Sequence, residues 1–348
     1  MVRRCNEPEL SLYQAFTKPQ APSPKPQAPS PKPQAPSPMT LTLTFVVLLV
    51  LSALPLGVHL GFRAPRIRET GSPADHGLVF EEAWIPTLRG RRLYGWWLPA
   101  PRAQGTLVLL HGWGGNAELM MPLAVPLRRA GLNLLLFDAR NHGRSDADTF
   151  SSLPRFAEDL GAAIAWLKQR HPRRSNCVAV LGHSVGAGAA LFAATRSRDI
   201  AAVISIAAFA HPAEVTARSL APLRLPKGIT ALVIRYVEWV IGHRFDAIAP
   251  VGSICRVPCP VLLVHGQADT LVPVEDARRI FAQADQGRTR LLEVPDAGHD
   301  SVERIEEHLD ALLAFLRETG VLGPDTAAIV PSPPQAGLNP PSARVPAE

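Results

Sequence analysis

Short, wholly apolar segments alternate with longer segments of helical periodicity, and this alternation restricts the fold more than any other feature of the sequence. The apolar segments predict buried strands at 106–110, 132–138, 177–182, 201–207, 261–266 and 290–295. Helical spacing is clearest at 117–130 and 156–170. Strands without a polar face, separated by helices, are typical of an α/β protein with a mostly parallel sheet and helices on both faces. Two earlier segments, 78–86 and 91–98, predict a hairpin.

The segment 211–258 interrupts this alternation. It lies between two predicted strands, contains five prolines and holds an amphipathic helical stretch near 228–242. We interpret it as a helical cap inserted over the C-terminal edge of the sheet, because open α/β sheets bind ligands at that edge. The alternative is a plain helix and loop of the repeating pattern.

Proline and basic residues are concentrated near the ends of the chain. Of 35 prolines, 10 lie in 1–38 and 7 in 324–348, and residues 69–323 carry a net charge of only +1 although the whole chain carries +6. A nucleic-acid-binding domain would carry its basic excess on the folded part, so we expect no nucleic-acid partner. The four cysteines are too few and too scattered for a disulfide scaffold. Cys255 and Cys259 lack the spacing and the histidine pair of a zinc site.

The heptapeptide KPQAPSP occurs three times in succession, at 18–24, 25–31 and 32–38. So much proline favours an extended backbone that buries no apolar surface, and we predict a disordered leader over 1–38. Met39 follows the last copy directly, so two interpretations stay open: a translated spacer, or sequence upstream of a start at Met39. Residues 323–348 are also predicted to be disordered.

Residues 40–62 contain no Asp, Glu, Lys or Arg. A helix of this length would span the roughly 30 Å hydrocarbon core of a bilayer. The segment lacks the basic region and the small-residue cleavage site of a secretory signal, and it lacks the polar face of a core helix. We therefore predict a single-pass membrane anchor at 39–62. Arg63, Arg66 and Arg68 follow it, which favours a cytoplasmic location for the C-terminal body.

The pentapeptide GHSVG at 182–186 lies between a predicted buried strand and a helix. A serine at such a corner adopts a strained backbone and points its hydroxyl outward. Gly182 and Gly186 are expected there because a Cβ would clash with the neighbouring strand and helix. The helix N-terminus supplies positive potential where an oxyanion would form. We therefore predict that Ser184 is a nucleophile.

A serine nucleophile needs a base, and an acid that orients the base. His299 follows the last predicted strand, and Asp269 follows the strand before it. These positions give the chain order Ser, acid, His of a serine hydrolase built on a strand–turn–helix corner. Asp246 and Asp296 are rivals for the acid, but neither follows an apolar strand in the same way.

The glycine-rich loop HGWGG at 111–115 follows the strand at 106–110. Such a loop lets backbone N–H groups approach a substrate oxygen, and we predict an oxyanion hole from the amides of Trp113 and Val185. The residues predicted to support this loop and the serine corner are His111, Gly112, Gly114, Gly182, His183 and Gly186. Asp138 and Arg140 are predicted to hold nearby loops.

Residues from about 78 to 320, about 70% of the chain, resemble the α/β-hydrolase superfamily. The motifs that carry this resemblance are HGWGG at 111–115, DARNHGRSD at 138–146, GHSVG at 182–186, HGQADTLVP at 265–273 and DAGHD at 296–300. They are most similar to bacterial serine hydrolases of the esterase and serine-aminopeptidase-like group. The resemblance implies an α/β-hydrolase domain over 69–322 with a cap at 211–258. It also implies a triad of Ser184, Asp269 and His299, with neither a metal nor a cofactor.

The expected activity is the hydrolysis of a carboxylic ester or thioester through an acyl-enzyme, with a small lipophilic acyl substrate. A second interpretation is an aminopeptidase or amidase. Peptidases of this type often bind the substrate amine with acidic cap residues, and Glu214 and Glu238 are the only glutamates of the predicted cap. A third interpretation is a catalytically silent binding protein, because a fold does not prove chemistry.

Overall fold

The computed structural model describes residues 35–323 except 62, 102 and 104. The chain divides into two compact units, Met1–Leu49 and Val50–Glu348. Most of the predicted leader and nearly all of the predicted tail, at 1–34 and 324–348, lie outside the described residues. The predictions of disorder for these two segments therefore stay predictions.

An eight-stranded sheet forms the centre of the larger unit, with the strand order β1-β2-β4-β3-β5-β6-β7-β8. The strands are β1 (Glu81–Pro86), β2 (Arg92–Leu98), β3 (Thr106–Leu110), β4 (Asn133–Phe137), β5 (Val178–His183), β6 (Ala202–Ile206), β7 (Val261–Gly266) and β8 (Thr289–Val294). Strand β2 pairs antiparallel with β1 and β4, and all other pairs are parallel. The predictions of a mostly parallel sheet and of an N-terminal hairpin are confirmed.

Eleven α-helices lie within the described part of the chain. They are α1 (Pro38–Gly61), α2 (Met121–Arg129), α3 (Leu153–Arg170), α4 (Val185–Ala194), α5 (Pro212–Leu220), α6 (Lys227–Ile241), α7 (Phe245–Ile248), α8 (Pro250–Ser253), α9 (Val274–Ala282), α10 (Val302–Glu306) and α11 (Leu309–Glu318). Helices α5 to α8 fill the segment between β6 and β7, where the sequence predicts a helical insertion. That this segment is a cap stays a prediction.

The sheet is buried on both faces because its central strands carry apolar side chains in both directions. Along β3, Val108 and Leu110 join one core cluster, which also includes residues of α3 and α4. Leu107 and Leu109 join the other, which includes residues of α2 and α11. Successive strand residues point to opposite faces, so a continuous apolar run serves two cores. Each fully buried leucine contributes about 1.5–3 kcal/mol relative to an exposed one.

The predicted membrane anchor requires a correction. Residues 38–61 do form helix α1, but no helix among the described residues is both long enough and apolar enough to cross a bilayer. The predicted membrane partner, and the cytoplasmic orientation inferred from it, are therefore not supported. Two residues near the C-terminal end of the helix contact other parts of the chain. Val58 packs against the buried core, and the ring of His59 lies edge-on to Tyr236, with the ring centroids 6.3 Å apart.

Candidate active site

Ser184 lies at the corner between β5 and α4, and its backbone is in an unusual conformation with φ +53° and ψ −116°. A residue other than glycine in such a region costs about 1–3 kcal/mol, which the surrounding structure must offset. A Cβ on Gly182 would collide with the backbone of Gly186, and one on Gly186 would lie 2.5 Å from the carbonyl oxygen of His111. These clashes are of the kind the sequence predicts, and a side chain at 182 or 186 would require the neighbouring backbone to move.

The structure brings Ser184, His299 and Asp269 together. The Oγ atom of Ser184 lies 3.0 Å from Nε2 of His299, and Nδ1 of His299 lies 2.7 Å from Oδ2 of Asp269. The second carboxylate oxygen of Asp269 accepts hydrogen bonds from the amides of Leu271 and Val272, at 3.0 and 2.8 Å. The carboxylate is therefore held from two sides, and it faces the imidazole in one orientation.

The Asp269 carboxylate stays charged well below neutral pH. Burial acts to raise the pKa of Asp269, but hydrogen bonds from His265, His299 and the Val272 amide outweigh burial and hold this pKa well below its ordinary value. A charged carboxylate on Nδ1 of His299 keeps the proton at Nδ1 and leaves Nε2 free to accept one. The arrangement can therefore take a proton from the serine hydroxyl.

The two rivals for the acid lie elsewhere. Asp246 is at the start of the short helix α7, and its side chain is 83% exposed and pairs with His211 at 3.0 Å. Asp296 is in the loop after β8 with a φ of +54°. Of the three candidate carboxylates, Asp269 is the one with a hydrogen bond to His299.

The loop at 111–115 lies against the serine. A Cβ on Gly112 would be 3.2 Å from the Cβ of Ser184, and Gly114 has a φ of +73°. Val185 is the first residue of α4, so its N–H group has no acceptor within the helix. Of the two predicted oxyanion donors, Val185 follows Ser184 directly, and Trp113 follows Gly112, whose backbone lies against Ser184. Their role in binding an oxyanion stays a prediction.

His111 links this loop to the turn after β4. Its Nε2 accepts a hydrogen bond from the amide of Ala139 at 3.0 Å, so its proton is on Nδ1, which lies 2.7 Å from the carbonyl oxygen of Gly112. Burial lowers the pKa of His111 well below its ordinary value. A neutral imidazole with its proton on Nδ1 can donate to Gly112 and accept from Ala139 at the same time. His111 therefore holds the glycine-rich loop against the turn after β4.

Asp138 and Arg140 hold neighbouring loops, as the sequence predicts. The carboxyl oxygens of Asp138 accept hydrogen bonds from the amides of Ala117 and Arg144, at 2.8 and 2.9 Å. The guanidinium of Arg140 is buried and lies 2.7 Å from Oδ1 of Asp159. The turn after β4 is therefore fixed to the loop before α2 and to α3.

Sequence reasoning missed the segment 67–71, which runs beside the loop before α2. The carboxylate of Glu118 accepts the amides of Thr70 and Gly71 at 2.7 and 3.0 Å, and the side-chain amide of Asn116 donates to the carbonyl of Ile67 at 3.2 Å. No periodicity or motif marks this segment, and its partners are almost 50 residues away. The contacts of this segment are therefore visible only in the tertiary structure.

His183, His299 and Asp300 each offer a metal-ligating atom, and these atoms lie within 4.8 Å of one another. Nε2 of His183 and both ring nitrogens of His299 already have partners, however. Nε2 of His183 lies 2.8 Å from the carbonyl oxygen of His299, while the ring of His299 bonds Ser184 and Asp269. A metal at this position would have to break at least one of these hydrogen bonds.

The chain is similar in sequence and in fold to several known proteins. A family model described as serine aminopeptidase, S33, matches residues 101–250. An uncharacterised protein of Mycobacterium tuberculosis is 32% identical over 257 residues, which cover 72% of this chain and 82% of that protein. A monoacylglycerol lipase of Mycolicibacterium smegmatis is 24% identical over 256 residues, which cover 63% of this chain and 89% of that protein. Among solved structures, an esterase of Pyrococcus furiosus aligns with a TM-score of 0.62 and 26% identity, covering 74% of this chain and 97% of that chain.

Proposed function

Because this chain belongs to the α/β-hydrolase superfamily, we propose that it is a serine hydrolase that cleaves a carboxylic ester or thioester. The observation that carries the proposal is the continuous hydrogen-bonded series Ser184–His299–Asp269, with distances of 3.0 and 2.7 Å. The serine lies at a strand–turn–helix corner with a strained backbone, as an exposed nucleophile requires. An esterase and a monoacylglycerol lipase among the similar proteins support an ester as the substrate.

In the proposed reaction, Oγ of Ser184 attacks the acyl carbonyl carbon while Nε2 of His299 takes the hydroxyl proton. The amides of Trp113 and Val185 bind the resulting oxyanion. The tetrahedral intermediate then collapses, the bond to the alcohol or thiol breaks, and His299 returns the proton to that leaving group. Water then attacks the acyl-enzyme while His299 takes a proton from it. His299 returns this proton to Oγ of Ser184 as the bond to the serine breaks, and the acid is released. Asp269 stays ionised throughout and stabilises the imidazolium.

The aminopeptidase interpretation is weaker because both glutamates of the predicted cap already have cationic partners. Glu214 forms two hydrogen bonds with Arg279, at 2.7 and 2.8 Å. Glu238 is buried, accepts the amide of Phe245 at 2.8 Å and lies 3.1 Å from Arg235. A carboxylate whose charge is balanced by a guanidinium binds a substrate amine poorly, since the amine would have to displace the arginine. We therefore favour esters over peptides.

A lipophilic acyl group is the favoured substrate class. The predicted cap presents several exposed apolar side chains, namely Leu223, Ile229, Leu232 and Trp239. Apolar surface of this kind binds acyl chains better than it binds charged groups.

A fluorophosphonate probe, which reacts with activated serines, tests the proposal directly. Wild type should be labelled and Ser184→Ala should not. The matched control is Ser219→Ala, because Ser219 is an exposed serine on α5 whose hydroxyl donates only to a carbonyl of its own helix. Equal labelling of Ser184→Ala and wild type would overturn the assignment. A panel of p-nitrophenyl esters against aminoacyl anilides then separates the two substrate classes, and faster anilide cleavage would favour the peptidase.

A further inference from the structure

The residue before the proposed nucleophile contacts the backbone of the proposed base. Nε2 of His183 lies 2.8 Å from the carbonyl oxygen of His299, 116 positions further along the chain. A carbonyl oxygen can only accept, so Nε2 must carry the proton. Burial lowers the pKa of His183, which leaves its ring neutral near pH 7 with a bare Nδ1. The contact is therefore a hydrogen bond from a neutral imidazole to the main chain of His299.

His299 lies in a loop that joins β8 to α10, outside any regular element. Two long-range hydrogen bonds hold the main chain of this loop. The carbonyl of Ala297 accepts the amide of Ala268 at 3.0 Å, and the carbonyl of His299 accepts His183. Of these, only the bond from His183 acts on the backbone of the base itself.

The position of His183 joins three parts of the site. It is the last residue of β5 and precedes Ser184 directly. Its Nδ1 would lie 3.0 Å from a Cβ on Gly112, so the ring also borders the glycine-rich loop. Its ring centroid is 5.2 Å from that of His299. A shift of this one imidazole would move the base relative to both the nucleophile and the loop.

We propose that His183 is a positioning residue whose Nε2–H group sets the distance between Nε2 of His299 and Oγ of Ser184. The proposal rests on the proposed function. It gives His183 a role in aligning the base, in addition to filling space beside the serine. Without the donor, the loop of His299 has one anchor fewer, and the base drifts from the serine. Proton transfer then slows while substrate binding is unchanged.

The test compares His183→Leu, which removes the donor, with His183→Gln, whose side-chain amide can donate from a similar position. The substrate is p-nitrophenyl butyrate, and kcat and KM are measured separately. His183→Leu should lower kcat by roughly 10- to 100-fold, since a displacement near 1 Å at a reacting group costs about 100-fold. KM should stay unchanged, and His183→Gln should recover most of the lost kcat.

The control is His171→Leu, because His171 caps the C-terminal end of α3, where its ring stacks on Trp97 and lies edge-on to Trp166. It should keep the wild-type kcat. A wild-type kcat in His183→Leu would overturn the proposal, as would a folded His183→Gln variant with no recovery. If His183→Leu does not fold, His183→Gln decides alone: wild-type kcat supports the donor role, and a low kcat contradicts it.

A second measurement does not depend on activity. The Nδ1 proton of His299, bonded to Asp269, should give a low-field NMR signal in wild type and in His183→Gln. In His183→Leu this signal should broaden or shift. An unchanged signal would contradict the positioning role even if no ester substrate is found. Failure of wild type to react with any ester or fluorophosphonate would instead contradict the proposed function.

Discussion

Nδ1 of His299 donates a 2.7 Å hydrogen bond to Oδ2 of Asp269, although the two residues are 30 positions apart. Asp269 follows β7 and His299 follows β8, and these strands are parallel neighbours in the sheet. The carboxyl ends of parallel neighbours meet at one edge, so the two loops converge there. The hydrogen bond makes Nε2 of His299 the acceptor that faces Ser184.

Asp269→Asn tests this hydrogen bond. The amide keeps the size of the side chain but cannot hold the proton on Nδ1, so His299 should adopt the wrong tautomer. We expect kcat for an ester substrate to fall by about 10⁴-fold. Asp246→Asn is the matched control, because Asp246 is the exposed rival carboxylate and should tolerate the change. A loss of kcat in Asp246→Asn that equals the loss in Asp269→Asn would contradict the assignment.

Glu69 and Asp138 should make stability depend on pH. Burial, together with the adjacent Glu69 carboxylate, raises the pKa of Asp138 to about 8. A Cβ on Gly143 would collide with oxygens of both side chains, so the two carboxyls face each other. A carboxyl pKa that is raised in the folded state means that the folded protein binds more protons than the unfolded chain between about pH 4 and 8. The free energy of unfolding should therefore fall as the pH rises through this range.

Glu69→Gln should weaken this pH dependence, because it removes the like charge that faces Asp138. Urea unfolding at several pH values between 5 and 8 measures the slope. Glu306→Gln serves as the control, since Glu306 is an exposed residue on α10. Slopes that are equal in wild type and Glu69→Gln would show that the two carboxyls do not interact.

The two glycines Gly186 and Gly161 should respond in opposite directions to alanine. A Cβ on Gly186 would lie 2.5 Å from a backbone oxygen, so Gly186→Ala should destabilise the protein by about 1–3 kcal/mol or more and reduce activity. A Cβ on Gly161 would meet no atom within 4 Å, and this residue is exposed within α3. Gly161→Ala should stabilise the protein by about 0.5–1 kcal/mol through helix propensity. Denaturant unfolding of both variants checks the sign of each change.

Arg140 should be indispensable to the turn after β4. Its guanidinium and the carboxylate of Asp159 are both 1% exposed and lie 2.7 Å apart. Arg140→Met would leave a buried carboxylate without its partner, at a cost of about 3–5 kcal/mol in the free energy of unfolding. Arg278→Met is the control, because Arg278 forms an exposed ion pair with Glu293, and it should change the unfolding midpoint little. Equal midpoints for the two variants would count against this explanation.

Sequence patterns predicted the strands well because each pattern is local. The apolar run at 106–110 is β3 without any change of boundary, and the run at 261–266 is β7. The run at 78–86 begins as a strand only at Glu81, which is opposite Trp97; residues 78–80 are not paired with β2. Helix α2 begins at Met121 rather than at 117, after a short turn of 3₁₀ helix. Boundaries depend on partners and caps that periodicity does not encode.

The predicted anchor at 39–62 shows where a local pattern was insufficient. The uncharged segment does form a helix, as predicted. The further prediction that this helix crosses a membrane is not supported. The rings of His59 and Tyr236 come together from positions more than 170 residues apart. A contact of that kind has no signature in the helix's own residues.

The sequence by itself determined the α/β layering, the glycines around Ser184 and the chain order of the three proposed catalytic residues. Each of these follows from residues close in sequence, or from the rule that parallel strands end at one edge. Only the tertiary structure decided which carboxylate bonds His299, that Glu69 faces Asp138, and that His183 bonds the backbone of His299. These contacts join loops whose separation in space is set by the packing of the whole sheet, and no local pattern fixes that separation.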